Sequence, residues 1–253
     1  MILRFFTGLH QPSDAQHFDA AFISKSRLMK RKSGFAVRDW ILDSGAFTTI
    51  LTHGDYPESV VVYAAEIKRW SKNGNLLAAV AQDYMCEAHM LKITGKTIPE
   101  HQQLTIERYD ALVKCDTGGI RIMPVLQGYA PEDYARHIEM YGDRLKHGAW
   151  VGVGSVCKRN GDPRSIERVL MAIKALRPDL RLHGFGLKST ALSSWIVREL
   201  LYTADSMAWS FAARKQGRNA NDWREAKRWT EQINSRPQPA QQQLFSAEDL
   251  CLA

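Results

Sequence analysis

Short apolar runs alternate with amphipathic stretches along this chain, and that alternation restricts the fold more than any other feature. Ile2 to Thr7, Ala20 to Ser24, Trp40 to Asp43, Leu77 to Asp83, Ile120 to Gln127, Trp150 to Val153, Arg181 to Phe185 and Ala204 to Ala208 read as strands. Several are apolar throughout, as strands covered on both faces of a parallel sheet must be. Between them, Pro57 to Lys72, Pro99 to Lys114, Pro131 to Tyr141, Pro163 to Leu176, Thr190 to Tyr202 and Asn221 to Ile233 have helical character. Four of these begin with proline, whose missing N–H costs little in a first turn. The first two strands are joined by a short connection, and the segment around Lys30 shows no helical pattern.

Eight strands alternating mainly with helices predict an α/β chain folded as a single (β/α)8 TIM-type barrel. An open doubly wound sheet is the alternative, but no G-x-G-x-x-G follows the first strand. From Ser235 the character changes. Pro237, Pro239 and the glutamines from Gln241 to Gln243 read as a flexible tail, dividing the chain into a barrel (1–234) and an extension (235–253).

Several function classes are disfavoured. The longest aliphatic stretch, Leu76 to Ala81, is six residues, far below the ~20 a membrane helix needs. No basic segment followed by a long apolar one opens the chain, so neither a secretory route nor a membrane partner is expected. Cys86, Cys115, Cys157 and Cys251 are scattered without a C-x-x-C pair. Neither a disulfide framework nor a local zinc site is expected, and a reduced, cytoplasmic protein is the simplest reading.

Charge points elsewhere. The chain carries 34 Lys plus Arg against 27 Asp plus Glu, a net +7. Lys25, Arg27, Lys30, Arg31, Lys32 and Arg38 form one basic cluster; Arg214, Lys215, Arg218, Arg224, Lys227 and Arg228 form another. Such clusters attract polyphosphates through counterion release. Two solvated faces would look the same, and charge alone leaves both readings open.

In a barrel, reactive side chains come from the C-terminal ends of strands. Here those ends carry Asp43-Ser44-Gly45-Ala46-Phe47, Gln82-Asp83-Tyr84, Gln127-Gly128-Tyr129, Gly152-Val153-Gly154-Ser155, His183-Gly184-Phe185-Gly186 and Asp205 to Ser210, with Arg214 beyond. Three aspartates at one mouth suit chemistry at a sugar's anomeric carbon, one as nucleophile and another exchanging a proton with the leaving base. Glycines let backbone approach a flat ligand. Gln127 offers both a donor and an acceptor to a heterocycle's edge. Each residue taken singly has a structural reading as well: Asp43 as an N-cap, the glycines as turns, Asp205 as a partner of Arg214, His183 as a satisfied core histidine. Tyr84 and Tyr129 are placed to stack on a base, and Ser24 to touch a phosphate. Trp209, Trp223 and Trp229 read as packing residues.

In this order the pieces resemble the tRNA-guanine transglycosylase superfamily, and within it the DpdA-type DNA-guanine transglycosylases that put 7-deazaguanines into phage and bacterial DNA. The resemblance spans about Ile41 to Arg214 as short ordered motifs. Asp43-Ser44-Gly45-Ala46-Phe47 is similar to D-S-G-G-F, Asp83 falls at the base-reading aspartate, and Gln127-Gly128 matches Q-G. Gly152-Val153-Gly154 resembles the glycine loop that binds the base carbonyl. Asp205 with Arg214 resembles D-C-V-x-P-T-R-x-x-R, although Ser210 and Phe211 replace its threonine and first arginine. The C-x-C-x-x-C zinc site of the tRNA enzymes is missing and the chain is shorter, which favours the compact DNA enzymes by analogy.

The resemblance implies exchange of guanine in DNA for a free 7-deazaguanine base similar to preQ0, through a covalent glycosyl-aspartate. Asp205 would be the nucleophile and Asp43 the general acid and base. Asp83, Gln127, Gly128, Gly152, Val153, Gly154, His183 and Gly184 would surround the base. Arg214 would hold a phosphate or orient Asp205. Lys25, Arg27, Lys30, Arg31, Lys32, Lys215 and Arg218 would meet the nucleic acid. No metal or cofactor is implied, and tRNA relatives commonly pair, so a homodimer is an open expectation. The same chemistry on tRNA, a non-catalytic nucleic-acid-binding barrel and, more distantly, a barrel glycosidase are the competing readings. In the tail, Gln241, Leu244 and Phe245 lie in a Q-x-x-L-F segment resembling the bacterial sliding-clamp-binding peptide. A polar tail without a partner is the other reading of it.

Overall fold

Pro124 interrupts the fifth apolar run, and the barrel closes around that interruption. In the computed structural model, which describes residues 3–236, nine parallel strands form one sheet. They are β1 (Arg4–Gly8), β2 (Ala20–Ser24), β3 (Asp39–Asp43), β4 (Asn75–Val80), β5 (Ile122–Met123), β6 (Val125–Leu126), β7 (Trp150–Val153), β8 (Arg181–Gly184) and β9 (Thr203–Ser206). Their order is β5-β4-β3-β2-β1-β9-β8-β7-β6. The two ends of that order are the halves of one predicted strand. Pro124 has no N–H to donate, but its carbonyl accepts from the Gly152 N–H at 2.8 Å. With β5 paired to β4 and β6 to β7, the broken strand joins both edges. All eight predicted strands are found, one of them split.

Ten helices surround the sheet among the described residues: α1 (Lys25–Leu28), α2 (Ala46–His53), α3 (Val60–Trp70), α4 (Ala88–Thr94), α5 (Ile98–Leu112), α6 (Pro131–Tyr141), α7 (Pro163–Leu176), α8 (Trp195–Leu200), α9 (Ala208–Lys215) and α10 (Trp223–Asn234). Local chemistry explains several boundaries. Thr97 and Glu100 form a reciprocal capping box at the start of α5. Asp162 caps α7, which buries Ile166, Val169, Leu170 and Ile173 at helical spacing. Removing the Ile173 side chain would cost roughly 2–5 kcal/mol. The predicted helix from Thr190 to Tyr202 is instead a short 3-10 turn followed by α8, restarted where Ser194 caps the Val197 N–H. The predicted strand from Ala204 stops at Ser206, because Ala208 already begins α9. The expectations for Gln241, Leu244 and Phe245 lie outside the described residues.

Side chains alternate between the barrel interior and the helix layer, as the strand pleat requires. Trp40 and Leu42 pack outward with Tyr63, Ile67 and Trp70 of α3, whereas Ile41 faces inward with Phe6, Phe22, Ala78, Val80 and Val125. That parity turns Asp43 inward. The same count on β8 and β9, where Leu182 and Ala204 belong to the outer core, turns His183, Thr203 and Asp205 inward. The sequence pattern that builds the core therefore also aims the acids.

Candidate active site

A cavity of about 370 Å³ lies at the C-terminal ends of the strands and is lined by Asp43, Asp83 and Asp205 together with Gln127, Glu87 and Ser155. Phe22, Phe47, Phe185, Met85 and Met207 supply its apolar surface. Three aspartates that are distant in sequence thus share one small space with the Glu87 carboxylate. Their surroundings differ.

Asp43 ends β3. The left-handed Gly45 (φ +74°) turns the chain from there into α2 and donates its N–H to Asp43 Oδ2 at 3.2 Å. Asp43 opens onto the cavity but lies deep in the mouth, and desolvation pushes its carboxyl up to about 6. The Ser24 hydroxyl opposes that rise and the Asp205 charge adds to it. Asp83 is buried and is pushed further, to about 7. Burial is the main cause; a hydrogen bond from Gln127 opposes it, and the charges of Asp43 and Glu87 reinforce it. Asp205 Oδ1 instead accepts from the Gly186 N–H at 3.0 Å and lies 3.3 Å from His183 Nε2.

Gln127 is held on every side. Its backbone N–H donates to His137 Nδ1 at 2.8 Å and its carbonyl accepts from Gln102 at 2.7 Å. Its side-chain Nε2 donates to Asp83, and its Oε1 lies 2.8 Å from Ser155 Oγ. Ser155 Oγ also lies 3.0 Å from Glu87 Oε2 and accepts from the Cys86 N–H at 2.9 Å. A hydroxyl has one proton, so Ser155 serves Gln127 or Glu87 but not both. Ser155 is the only non-glycine with positive φ among the described residues (56°), a strained conformation that holds the hydroxyl at this junction.

The glycines act differently from the reading that they leave N–H groups free for a ligand. A Cβ on Gly152 would lie 2.3 Å from the Phe185 ring, and one on Gly154 would lie 2.2 Å from Gln127 Nε2. Their N–H groups are taken by the Pro124 and Leu126 carbonyls. These glycines make room for the side chains that shape the cavity. Gly128 packs against Asp133 and Tyr134, and Gly184 against Leu187 and Leu201. Val153 faces the outer core, and His183 is fully buried behind Asp205.

Around the mouth, Arg214 is exposed and makes no ion pair with a carboxylate among the described residues. Its charge and that of Arg27, after burial, hold the His10 imidazole below its usual range; His10 bonds to Ser210 at 2.8 Å and lies 3.3 Å from Arg27. Lys25 pairs with Glu58 at 2.6 Å, Arg31 binds the Ser33 and Gly34 carbonyls, and Arg218 pairs with Glu225 at 2.8 Å. Lys30, Lys32 and Lys215 are exposed. Arg38 pairs with Asp19 before β2, at the far end of the barrel. Phe47, Tyr129 and Phe211, which follow β3, β6 and β9, are exposed rings with Lys158, Arg159 and Lys215 at 4.8, 4.3 and 5.0 Å. Tyr84 is buried and hydrogen-bonded to Asp55, so its ring is not presented to the cavity. Trp209 is core, donating to the Gly8 carbonyl at 2.7 Å.

Sequence reasoning gave no role to Glu87, Ser155, Phe185 or Met207, although the cavity brings them together. Glu87 directly follows the Asp83–Cys86 stretch, but nothing local signals that it meets Ser155 from the β7 end. Among the described residues no group of side chains has the makings of a metal site, and no helix is long and apolar enough to cross a membrane. The family model described as DpdA, DeoxyPurine in DNA protein A, matches residues 1–233. A comparison with curated proteins finds no match.

Proposed function

The chain belongs to the DpdA family, and from that premise we propose that it exchanges guanine in DNA for a free 7-deazaguanine base by double displacement. The observation that carries this reading is the convergence of Asp43, Asp83 and Asp205 on one cavity at the barrel mouth. A stacked base hides its glycosidic bond, so the target guanine is extruded into that cavity. Asp205 attacks the anomeric carbon, the C1′–N9 bond breaks and an aspartyl ester forms. Asp43, whose raised pKa lets it carry a proton near neutrality, protonates the departing guanine. It then takes a proton from the incoming base as that base displaces the ester, and two inversions give net retention.

Asp83 accepts hydrogen bonds from the amino and ring N–H groups of the base, with Gln127 beside it. Guanine and a 7-deazaguanine share that edge, so one site serves both half-reactions. Phe47 and Phe185 offer apolar faces to the ring. Arg27 and Arg214 suit phosphates, and the exposed ring–cation pairs around the mouth suit neighbouring bases and backbone. The reaction is a pentosyl transfer that needs no redox step.

The test is mass spectrometry of nucleosides from DNA and from tRNA after incubation with the protein and candidate deazaguanines. Deazaguanosine in DNA supports the reading. Incorporation into tRNA alone transfers the same chemistry to another polymer, and binding without incorporation reduces the protein to a nucleic-acid-binding barrel. For the tail, loss of sliding-clamp binding on Leu244→Ala plus Phe245→Ala is expected; an intact chain that does not bind the clamp removes that proposal.

A further inference from the structure

One polar chain behind the cavity is determined by proton counting alone. The indole N–H of Trp150 can only donate, and it donates to Thr203 Oγ1 at 2.8 Å. The Thr203 hydroxyl therefore keeps one proton to give, and His183 Nδ1 lies 2.8 Å away. With Nδ1 accepting, the imidazole proton sits on Nε2, facing Asp205 Oδ1 at 3.3 Å. A doubly protonated ring would leave the Thr203 proton without an acceptor, since Trp150 and His183 are the only side-chain partners of that hydroxyl among the described residues. Aromatic neighbours hold the ring in place: Phe22 stacks on it at 5.4 Å and Phe185 meets it edge-on at 4.7 Å.

We propose that His183, oriented by Thr203 and Trp150, is a positioning residue that selects which oxygen of Asp205 attacks the sugar; this rests on Asp205 being the nucleophile. His183 Nε2–H and Gly186 N–H both point at Oδ1. No hydrogen bond from the described residues reaches Oδ2. An oxygen holding two donors has its lone pairs occupied, so Oδ2 forms the bond to the anomeric carbon and Oδ1 becomes the ester carbonyl. When the incoming base breaks the C1′–Oδ2 bond, the electron pair returns to the carboxylate and the same donors meet charge reappearing on Oδ1. His183 transfers no proton. A neutral donor orients the carboxylate without the tight ground-state pairing that a full cation would impose.

The experiment is single-turnover formation of the protein–DNA adduct, quenched with denaturant, using DNA with a target guanine and no incoming base. His183→Ala is expected to slow adduct formation by roughly 100-fold, with DNA and free-base affinities little changed. His183→Gln places an amide donor near the same point and is expected to recover a tenfold part of that loss, as a rough guide. Thr203→Val, which keeps the shape but cuts the chain, is expected to fall between wild type and His183→Ala. Thermal melting shows whether each variant is folded. Adduct formation at the wild-type rate in His183→Ala would overturn the proposal, as would equal losses in folded His183→Ala and His183→Gln. Exchange by the wild type with no adduct at any time would instead overturn the nucleophile reading beneath it.

Discussion

The two sides of the barrel mouth handle negative charge in opposite ways. On the β3 and β4 side, Asp43 and Asp83 are desolvated, Asp43 feels the Asp205 charge and Asp83 those of Asp43 and Glu87, and their carboxyls rise to about 6 and about 7. On the β8 and β9 side, Asp205 meets two N–H donors on one oxygen and leaves the other clear. Acids made reluctant to ionise can carry protons and respond to ligands. An acid held by two N–H donors on one oxygen has its other oxygen aimed at a target. One mouth contains both because Asp43, Asp83 and Asp205 reach it from different strand ends with different neighbours.

Breaking the donor-held side has the severest consequence. Asp205→Ala is expected to reduce exchange by roughly 10⁴-fold or more, while affinity for the free base, measured by calorimetry, stays within a few-fold. On the desolvated side, Asp83→Asn is expected to weaken base binding by roughly 10- to 100-fold, the worth of one or two charge-assisted hydrogen bonds. Unchanged affinity would return Asp83 to a structural role.

The same substitution carries a stability signature with a definite sign. A carboxyl whose pKa is 3.8 unfolded and about 7 folded favours the fold fully below 3.8, and that contribution is lost as pH rises through 7. Asp83→Asn should therefore stabilise the protein at pH 8, by an amount on the order of 4 kcal/mol. The gain in melting temperature should shrink as pH falls toward 4. A variant less stable than wild type at pH 8 would contradict the burial argument.

In the proposed exchange, Asp43 must hold a proton and Asp83 must lose one. The rate should peak between pH 6 and 7 and fall on both sides, the two limbs belonging to the coupled pair rather than to either residue. A rate flat from pH 5 to 8 would break the comparison at its proton-handling half. The mildest effect is expected at the rim. Arg214→Ala should weaken DNA binding a few-fold at all sequences and reduce the salt-dependence slope by about one.

Several strands were legible because their residues are apolar on both faces, and Asp43 and Asp205 could be placed at strand ends; their inward turn needed the inner and outer cores that the folded strands define. The short helices α2, α4 and α9 were not. Each has only seven or eight residues, too few for a periodic pattern to stand out. Pro124 was visible in the sequence, but splitting a strand to close a barrel depends on pairing with distant β4 and β7. The glycines were visible too. Their task of admitting Phe185 and Gln127 depends on residues 33 and 27 positions away (from Gly152 and Gly154 respectively). His183 looked like an isolated histidine because Thr203 and Trp150, which determine its tautomer, lie on neighbouring strands.

The most direct measurement is intact-mass and peptide analysis of the protein quenched during reaction with a guanine-containing oligonucleotide. The expected result is a covalent nucleic-acid adduct on the peptide containing Asp205, lost in Asp205→Ala and discharged by a 7-deazaguanine base. A competent exchange reaction whose adduct maps to Asp43 or Asp83, or which forms no adduct at all, would contradict it.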